Sequence, residues 1–411
     1  MENSHLNNLG ISAKKRNSVF LSLIFVNIIR NIGYNFVNIG LPDFITGLAG
    51  DIALYGVAVG IYQVTQTIFQ IPMAYISDKI GRRNAIFIGF SIHIIGTILC
   101  GFSTQLWQII LFRAIQGIGV YASIIFATLA DLYVENERAQ KFSFYSVSLT
   151  IGYILGNFFG GIVSDYIPLN YLFFISAIMN LFAFIYLIII IPETNPHKLN
   201  LRHHLNTKKS IEKDLPSKKE KNWITLPFIF GLIVHGIRNF FFSGFLTFSI
   251  WNYAQLFDLS GTQTGLILLP LTLFYIGGLL IAPAFGKKTK YFPYIMITSV
   301  ILAFLLITTS ISFTSLWLYL SLTFFLAVIL AMQDPINTAF ITTHMDESKR
   351  GLGSGIMSMV GIFSSALGQI GISGLARLTS FQWVHIIAGF FWLFLVIIIL
   401  LVNSRIKRNE N

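Results

Sequence analysis

The sequence predicts an all-α integral membrane protein: twelve transmembrane helices in two pseudo-symmetric bundles of six. Three observations carry that expectation. The 411 residues are 55% hydrophobic and 11% charged, with 39 Phe, whereas a soluble domain carries about 25% charged residues. Twelve apolar runs, at about 19–41, 55–76, 84–103, 106–131, 141–164, 170–191, 223–250, 262–283, 293–313, 315–340, 352–376 and 382–403, have the roughly 20 residues needed to cross about 30 Å of hydrocarbon. Short matches also recur along the chain. Ile29-Arg30-Asn31 returns as Ile237-Arg238-Asn239, and Arg350 to Gln369 can be laid over Arg138 to Asn157, which together indicate a duplicated six-span unit.

The chain then divides into a polar tail (1–18), a first bundle (19–191), a linker (192–222), a second bundle (223–403) and a short tail (404–411). The linker holds eight Lys and Arg and three His, with His203-His204 among them. It is too polar for a packed core and reads as a solvated tether. The net charge of +11 is topological information. Arg30, Arg113 and Arg238 lie inside spans and Arg377 near an outer loop, while the other Lys and Arg fall in alternate loops and both termini. The opposite loops carry Asp43, Asp51, Asp165 and Asp258. This positive-inside pattern places both termini in the cytoplasm and argues against a nucleic-acid partner. Cys100 is the only cysteine, so no intrachain disulfide or thiolate metal site is expected. The run after residue 18 is too long for a signal-peptide core and reads as a retained first span.

Span one places Asn27, Asn31, Asn35 and Asn38 on one helical face, with Arg30 at its edge. A charge at mid-span costs about 2.5–3.5 kcal/mol even on the lenient insertion scale, so the stripe should face a bundle interior or a wet cavity. Span two carries Gln63, Gln66 and Gln70 on one face, read equally well as interhelical hydrogen bonding or cavity lining. The loop Ser77-Asp78-Lys79-Ile80-Gly81-Arg82-Arg83 joins spans two and three. His93 stands alone in span three, where packing is the plainer reading and proton carriage the alternative. Span four sets Arg113 and Gln116 one turn apart and ends at Asp131. Span five repeats Gly152, Gly156 and Gly160, with Gly161 next, a groove for close helix contact. In the second half, Arg238 and Asn239 occupy the places of Arg30 and Asn31. The loop Gly286-Lys287-Lys288-Thr289-Lys290 stands where the Asp78 loop should repeat, without its acid. Asp334 is the one acid deep inside a span. It suits proton binding or a structural pairing with an Arg.

The loop from Asp78 to Arg83, with Gly81 between its charges, resembles the signature loop of the major facilitator superfamily. Gly60-Ile61-Tyr62 through Phe69-Gln70-Ile71-Pro72 resembles the twelve-span drug:proton antiporter branch near its YajR-like members, as does Gly156-Asn157-Phe158-Phe159-Gly160-Gly161. Ala74 and Asn157 depart from that branch's usual Gly and Pro. The resemblance implies a gating set of Asp78, Gly81, Arg82, Arg83 and Asp131, with Asp131 pairing Arg82 or Arg83. It also implies a proton-coupling role for Arg113, beside the further candidates Asp334 and His93.

The expected function is secondary active transport by alternating access, in which the halves rock and Asp78 meets the start of span eleven. Proton-coupled efflux of small amphiphilic compounds is the leading substrate reading. An anion held by Arg30 and Arg238 is the alternative, and a transport-inactive receptor or scaffold a third. Arg30, Asn31, Asn35, Gln63, Gln66, Arg238 and Asn239 are the candidate cavity residues. No Gly-x-x-x-x-Gly-Lys-Ser/Thr loop is present, so a proton gradient, with no cofactor or metal, is the expected energy source. No Ser/His/Asp set or carboxylate pair points to an enzyme. The expected partners are a small-molecule substrate and the lipid bilayer, the protein acting as a monomer.

Overall fold

The computed structural model describes residues 13–119, 121–133, 135–194, 224–286, 290–344 and 350–410. The start of the N-terminal tail, nearly all of the linker with His203-His204, and most of the loop after Gly286 lie outside the described residues. Every regular element among the described residues is helical. Among the described residues, ten helices are long and apolar enough to cross a membrane. The helix of span one, Ala13–Asn35, begins with Lys14, Lys15 and Arg16 and carries the asparagine stripe. Span four comprises two shorter helices, Leu106–Ile118 and Ala122–Leu132.

Several boundaries differ from the sequence reading, and three of them shape the sites described below. Span one ends at Asn35, not near residue 41, and a short helix, Leu41–Gly47, follows a turn. Span four, read as one helix, breaks after Ile118. Gly119 there packs so closely on span three that a Cβ would stand 2.6 Å from His93 N. The loop between spans two and three shrinks to a single residue. The helix Ile52–Ile80 ends at Gly81, and the next, Arg82–Gly101, starts immediately after it. Gly81 has φ 98°, which side-chain-bearing residues rarely adopt, so the reversal depends on glycine.

Two compact units emerge: Met1–Phe44 with Val64–Lys219, and Ile45–Gln63 with Glu220–Asn411. In the first, Phe90 stacks on Tyr121 and Phe184, with ring centroids 4.7 and 5.5 Å apart, within a core that includes Leu23, Val26, Ile94, Leu129 and Leu187. In the second, span seven (Leu226–Gln255) packs extensively on span eleven (Arg350–Leu378). The N-terminal end of span two joins this unit through Tyr55 on Trp251, with ring centroids 5.4 Å apart, and through a 2.8 Å ion pair of Asp51 with Arg377.

The internal duplication is visible in the helix contacts within each unit. In the first, Gly152, Gly156 and Gly160 of span five lie against the carbonyls of Ile28 and Ile32 of span one and of Phe36 just past its end. In the second, Gly236 lies against Ser364, Gly368 against the Phe240 carbonyl, and Gly244 against Gly368 and Ile372. Under the two sequence offsets these are the same three layers. The middle glycine stays on the later helix, while the flanking two have moved to the earlier one. Each layer keeps one residue without a side chain, which is what close backbone approach requires.

Candidate functional site

Among the described residues, three polar clusters hold the charged candidate residues. The first lies at the turn between spans two and three, and Arg82 is its hub. Its Nη1 donates to Asp78 Oδ1 at 2.6 Å and to Ser77 Oγ at 2.9 Å, and its Nε to Asp131 Oδ2 at 3.2 Å. One guanidinium thus ties the end of span two to the end of span four. Arg83 points elsewhere: its Nη2 donates to the Ile188 carbonyl at 3.0 Å, and it lies over the Phe87 ring. Of the two arginines offered as partners for Asp131, Arg82 is therefore the one that meets it.

Glu193, which the sequence did not single out, completes this cluster. Its Oε1 accepts from Arg82 N at 2.8 Å and Thr194 N at 3.0 Å, and Thr194 Oγ1 donates to Asp131 at 3.3 Å. An acid at a helix N-terminus satisfies an amide that has no partner within the helix. The signal was available as a lone acid between Pro192 and Thr194, directly after span six and ahead of a basic stretch. Next to it, Tyr133 bridges span four to span one by donating to the Arg16 carbonyl at 3.2 Å. Burial pushes its phenol up to about 12, with the Arg16 charge opposing.

The second cluster lies inside the first unit. The asparagine stripe of span one forms a ladder along its own helix. Asn31 Nδ2 donates to the Asn27 carbonyl at 2.7 Å, and Asn35 Nδ2 to the Asn31 carbonyl at 2.8 Å. Asn27 reaches across to Ser148 Oγ at 2.6 Å. Asn31 and Asn35 thus sit in the seam with span five, where their Cβ atoms face Gly152 and Gly156. Arg30, on the edge of the stripe, lies over the rings of Tyr34 and Tyr121, at 5.6 and 5.2 Å from their centroids. Arg113 is wholly buried. It lies 5.8 Å from the centroids of both Tyr34 and Phe173, and its Nη1 donates to Gln116 Oε1 at 3.1 Å. Gln116 in turn donates to Thr97 Oγ1 at 2.7 Å. His93, also buried, is within electrostatic reach of Arg30 and Arg113. The structure therefore brings Arg30, a candidate cavity residue, together with Arg113 and His93, two candidates for proton coupling.

The third cluster lies in the second unit. Arg238, 2% exposed, pairs through Nη1 with Asp334 Oδ1 at 3.0 Å. Its Nε donates to the Leu330 carbonyl at 3.1 Å, and its Nη2 to Tyr275 Oη. Each guanidinium nitrogen thus has an oxygen partner. Asn239 bonds back to the His235 carbonyl at 2.8 Å. Gln333 and Asn337, flanking Asp334, are buried and bonded to Thr298 Oγ1 and the Gly231 carbonyl. Gln63 and Gln66 are half-buried on span two. An apolar groove of about 450 Å³ runs between spans seven, eleven and twelve, lined by Phe240, Phe241, Gly371, Ile387 and Phe391 among others.

The sequence profile of the Major Facilitator Superfamily matches residues 23–291 and 232–411. The inner membrane transport protein YajR of Escherichia coli (strain K12) is 36% identical over 148 residues, 36% of this chain and 33% of that protein. The class B tetracycline resistance protein of Escherichia coli is 28% identical over 159 residues, 38% of each chain. The matched stretch is thus little more than a third of the length of these relatives. Among solved structures, a bacterial homologue of the human lysosomal transporter Spinster, in an inward-facing and occupied conformation, has a TM-score of 0.73 at 14% identity, over 96% of this chain and 98% of that one. The xylose transporter XylE of E. coli, in its inward open conformation, has a TM-score of 0.70 at 16% identity, over 93% of this chain and 95% of that one. At such identities the structural likeness speaks to fold alone.

Proposed function

Because the chain belongs to the major facilitator superfamily, we propose that this multi-pass membrane transporter exports small amphiphilic compounds across the cytoplasmic membrane by alternating access, driven by a proton gradient, with both termini in the cytoplasm. The observation that carries the reading is the burial of Arg30, Arg113 and Arg238 inside spans, with Asp334 beside Arg238. Ionisable groups held at such depth mark solute and ion pathways. The similarity to a tetracycline resistance protein favours efflux. The pairing of Arg238 with Asp334 weighs against an anion gripped jointly by Arg30 and Arg238, because one of those charges is already matched.

The gate in this reading includes Asp78, Gly81, Arg82 and Asp131. Glu193 fixes the start of span three, and Asp334 or Arg113 carries the response to protons. The test is a pH jump across proteoliposomes containing the purified chain and an amphiphilic fluorescent dye. Dye movement should follow the imposed gradient and fall sharply in Asp78→Asn, while that variant still inserts and purifies. Dye flux that ignores the gradient would remove proton coupling. No flux or counterflow of any amphiphile would favour the receptor or scaffold reading.

A further inference from the structure

Arg113 is fully covered by protein, yet only one edge of its guanidinium is used. Nη1 donates to Gln116 Oε1, whereas Nε and Nη2 meet no hydrogen-bond acceptor among the described residues. Those two nitrogens form the side edge of the guanidinium, where two parallel N–H bonds match the two oxygens of a carboxylate. The described ion pairs of the first unit join Arg82 to Asp78 and Asp131 and leave Arg113 out. Among the described residues, the groups around it offer no negative charge: the rings of Tyr34 and Phe173, and a second guanidinium, Arg30, over the same Tyr34 ring. A buried cation without a counter-charge is strongly disfavoured, and here two cations share one aromatic neighbour.

We propose that the Nε–Nη2 edge of Arg113 is the docking site for a carboxylate carried by the transported solute. Arg30 supplies the second positive charge, and Tyr34 and Phe173 supply aromatic walls for the apolar body beside it. Arg30 is 9% exposed where Arg113 is fully covered, so it is the cationic approach to the inner arginine. The site takes an amphiphilic monocarboxylate. A neutral amide of the same shape is rejected, because it cannot accept both N–H bonds or supply the charge. This rests on the transport reading above and names the substrate class for it.

The test is equilibrium binding to the full chain in lipid nanodiscs, without any gradient, using benzoate and its neutral isostere benzamide. Benzoate should bind at least about tenfold more tightly, the scale of a charged hydrogen-bonded contact. Arg113→Lys keeps the charge but loses the fork, and should erase about tenfold of that affinity. Gln116→Glu places a carboxylate beside the guanidinium; it should raise the melting temperature of the ligand-free protein and abolish benzoate binding. Equal binding of benzoate and benzamide overturns the proposal, and so does a Gln116→Glu protein that melts and binds benzoate like the parent. If Arg113→Lys does not fold, the ligand pair and Gln116→Glu still decide. Dye export with no preference for benzoate refutes this site and leaves the export reading standing; benzoate preference without any transport does the reverse.

Discussion

Replacing Asp334 with Asn separates the two roles open to that acid. Arg238 has a side chain 3% exposed and that of Asp334 is 32% exposed. Breaking a fully buried ion pair costs about 3–5 kcal/mol because a charge is stranded. Solvent reaching the Asp334 side screens that figure, and the charged hydrogen bond itself is worth about 1.5–3 kcal/mol. The Leu330 carbonyl and Tyr275 hydroxyl remain to hold the guanidinium. Asp334→Asn should therefore destabilise the protein by about 2 kcal/mol, and Arg238→Gln by a similar amount. The double variant should lose clearly less than the sum, with a coupling energy of about 1.5 kcal/mol or more. Equilibrium unfolding in SDS-containing mixed micelles reads all four corners of the cycle. A coupling below about 0.5 kcal/mol would refute the ion pair as a stabilising contact, the usual size of error for independent sites. The pH-jump assay on the same proteins then assigns the role. A structural acid predicts that the double variant transports with the parent's pH response. A proton carrier predicts a well-folded double variant whose flux no longer responds to the gradient.

Three further outcomes follow from particular contacts. Arg82→Lys loses the shared grip on Asp78 and Asp131 and should cost about 1–3 kcal/mol, whereas Arg83→Lys, losing one exposed bond to a carbonyl, should cost under about 1 kcal/mol; unfolding of the two variants side by side checks this. Gly156→Ala forces a Cβ to within 2.7 Å of the Ile32 carbonyl and should cost about 1–3 kcal/mol, while Gly374→Ala, with nothing within 4 Å, should be neutral or gain up to about 1 kcal/mol of helix propensity. Tyr133 has its phenol raised to about 12 by burial. The native state thus favours the protonated form, so this contribution is intact below the ordinary tyrosine value near 10 and is lost as pH climbs from there through about 12; Tyr133→Phe should flatten the alkaline limb of a stability–pH profile against the parent.

The membrane fold was legible because its causes are local. Apolar runs of bilayer length and charges confined to alternate loops can both be read without knowing any contact. The glycine row of span five was legible for the same reason, since three small residues at one spacing admit few other uses. Its counterpart in the second half was hidden, because two of the three glycines there lie on span seven, and only the paired helices reveal that each layer is conserved. The choice between Arg82 and Arg83 was open in sequence because neighbours in a helix point about 100° apart. Gly81 settles it by setting where span three begins, and so which of the two arginines faces span four.

The two halves repeat a backbone plan but not its charge balance. Ile29-Arg30-Asn31 and Ile237-Arg238-Asn239 are the same tripeptide, and both arginines are buried. Under the offset that aligns spans five and eleven, the position matching Asp334 in the first half is Ala122, an uncharged residue. Span four adds the buried Arg113 beside it. The second half therefore closes its ion pair internally, while the first concentrates two guanidinium groups around Tyr34. Retaining a second buried cation where the sister half has a matched pair is costly for folding alone. Under the carboxylate proposal, that cost is offset when a negative group visits the first bundle during the working cycle.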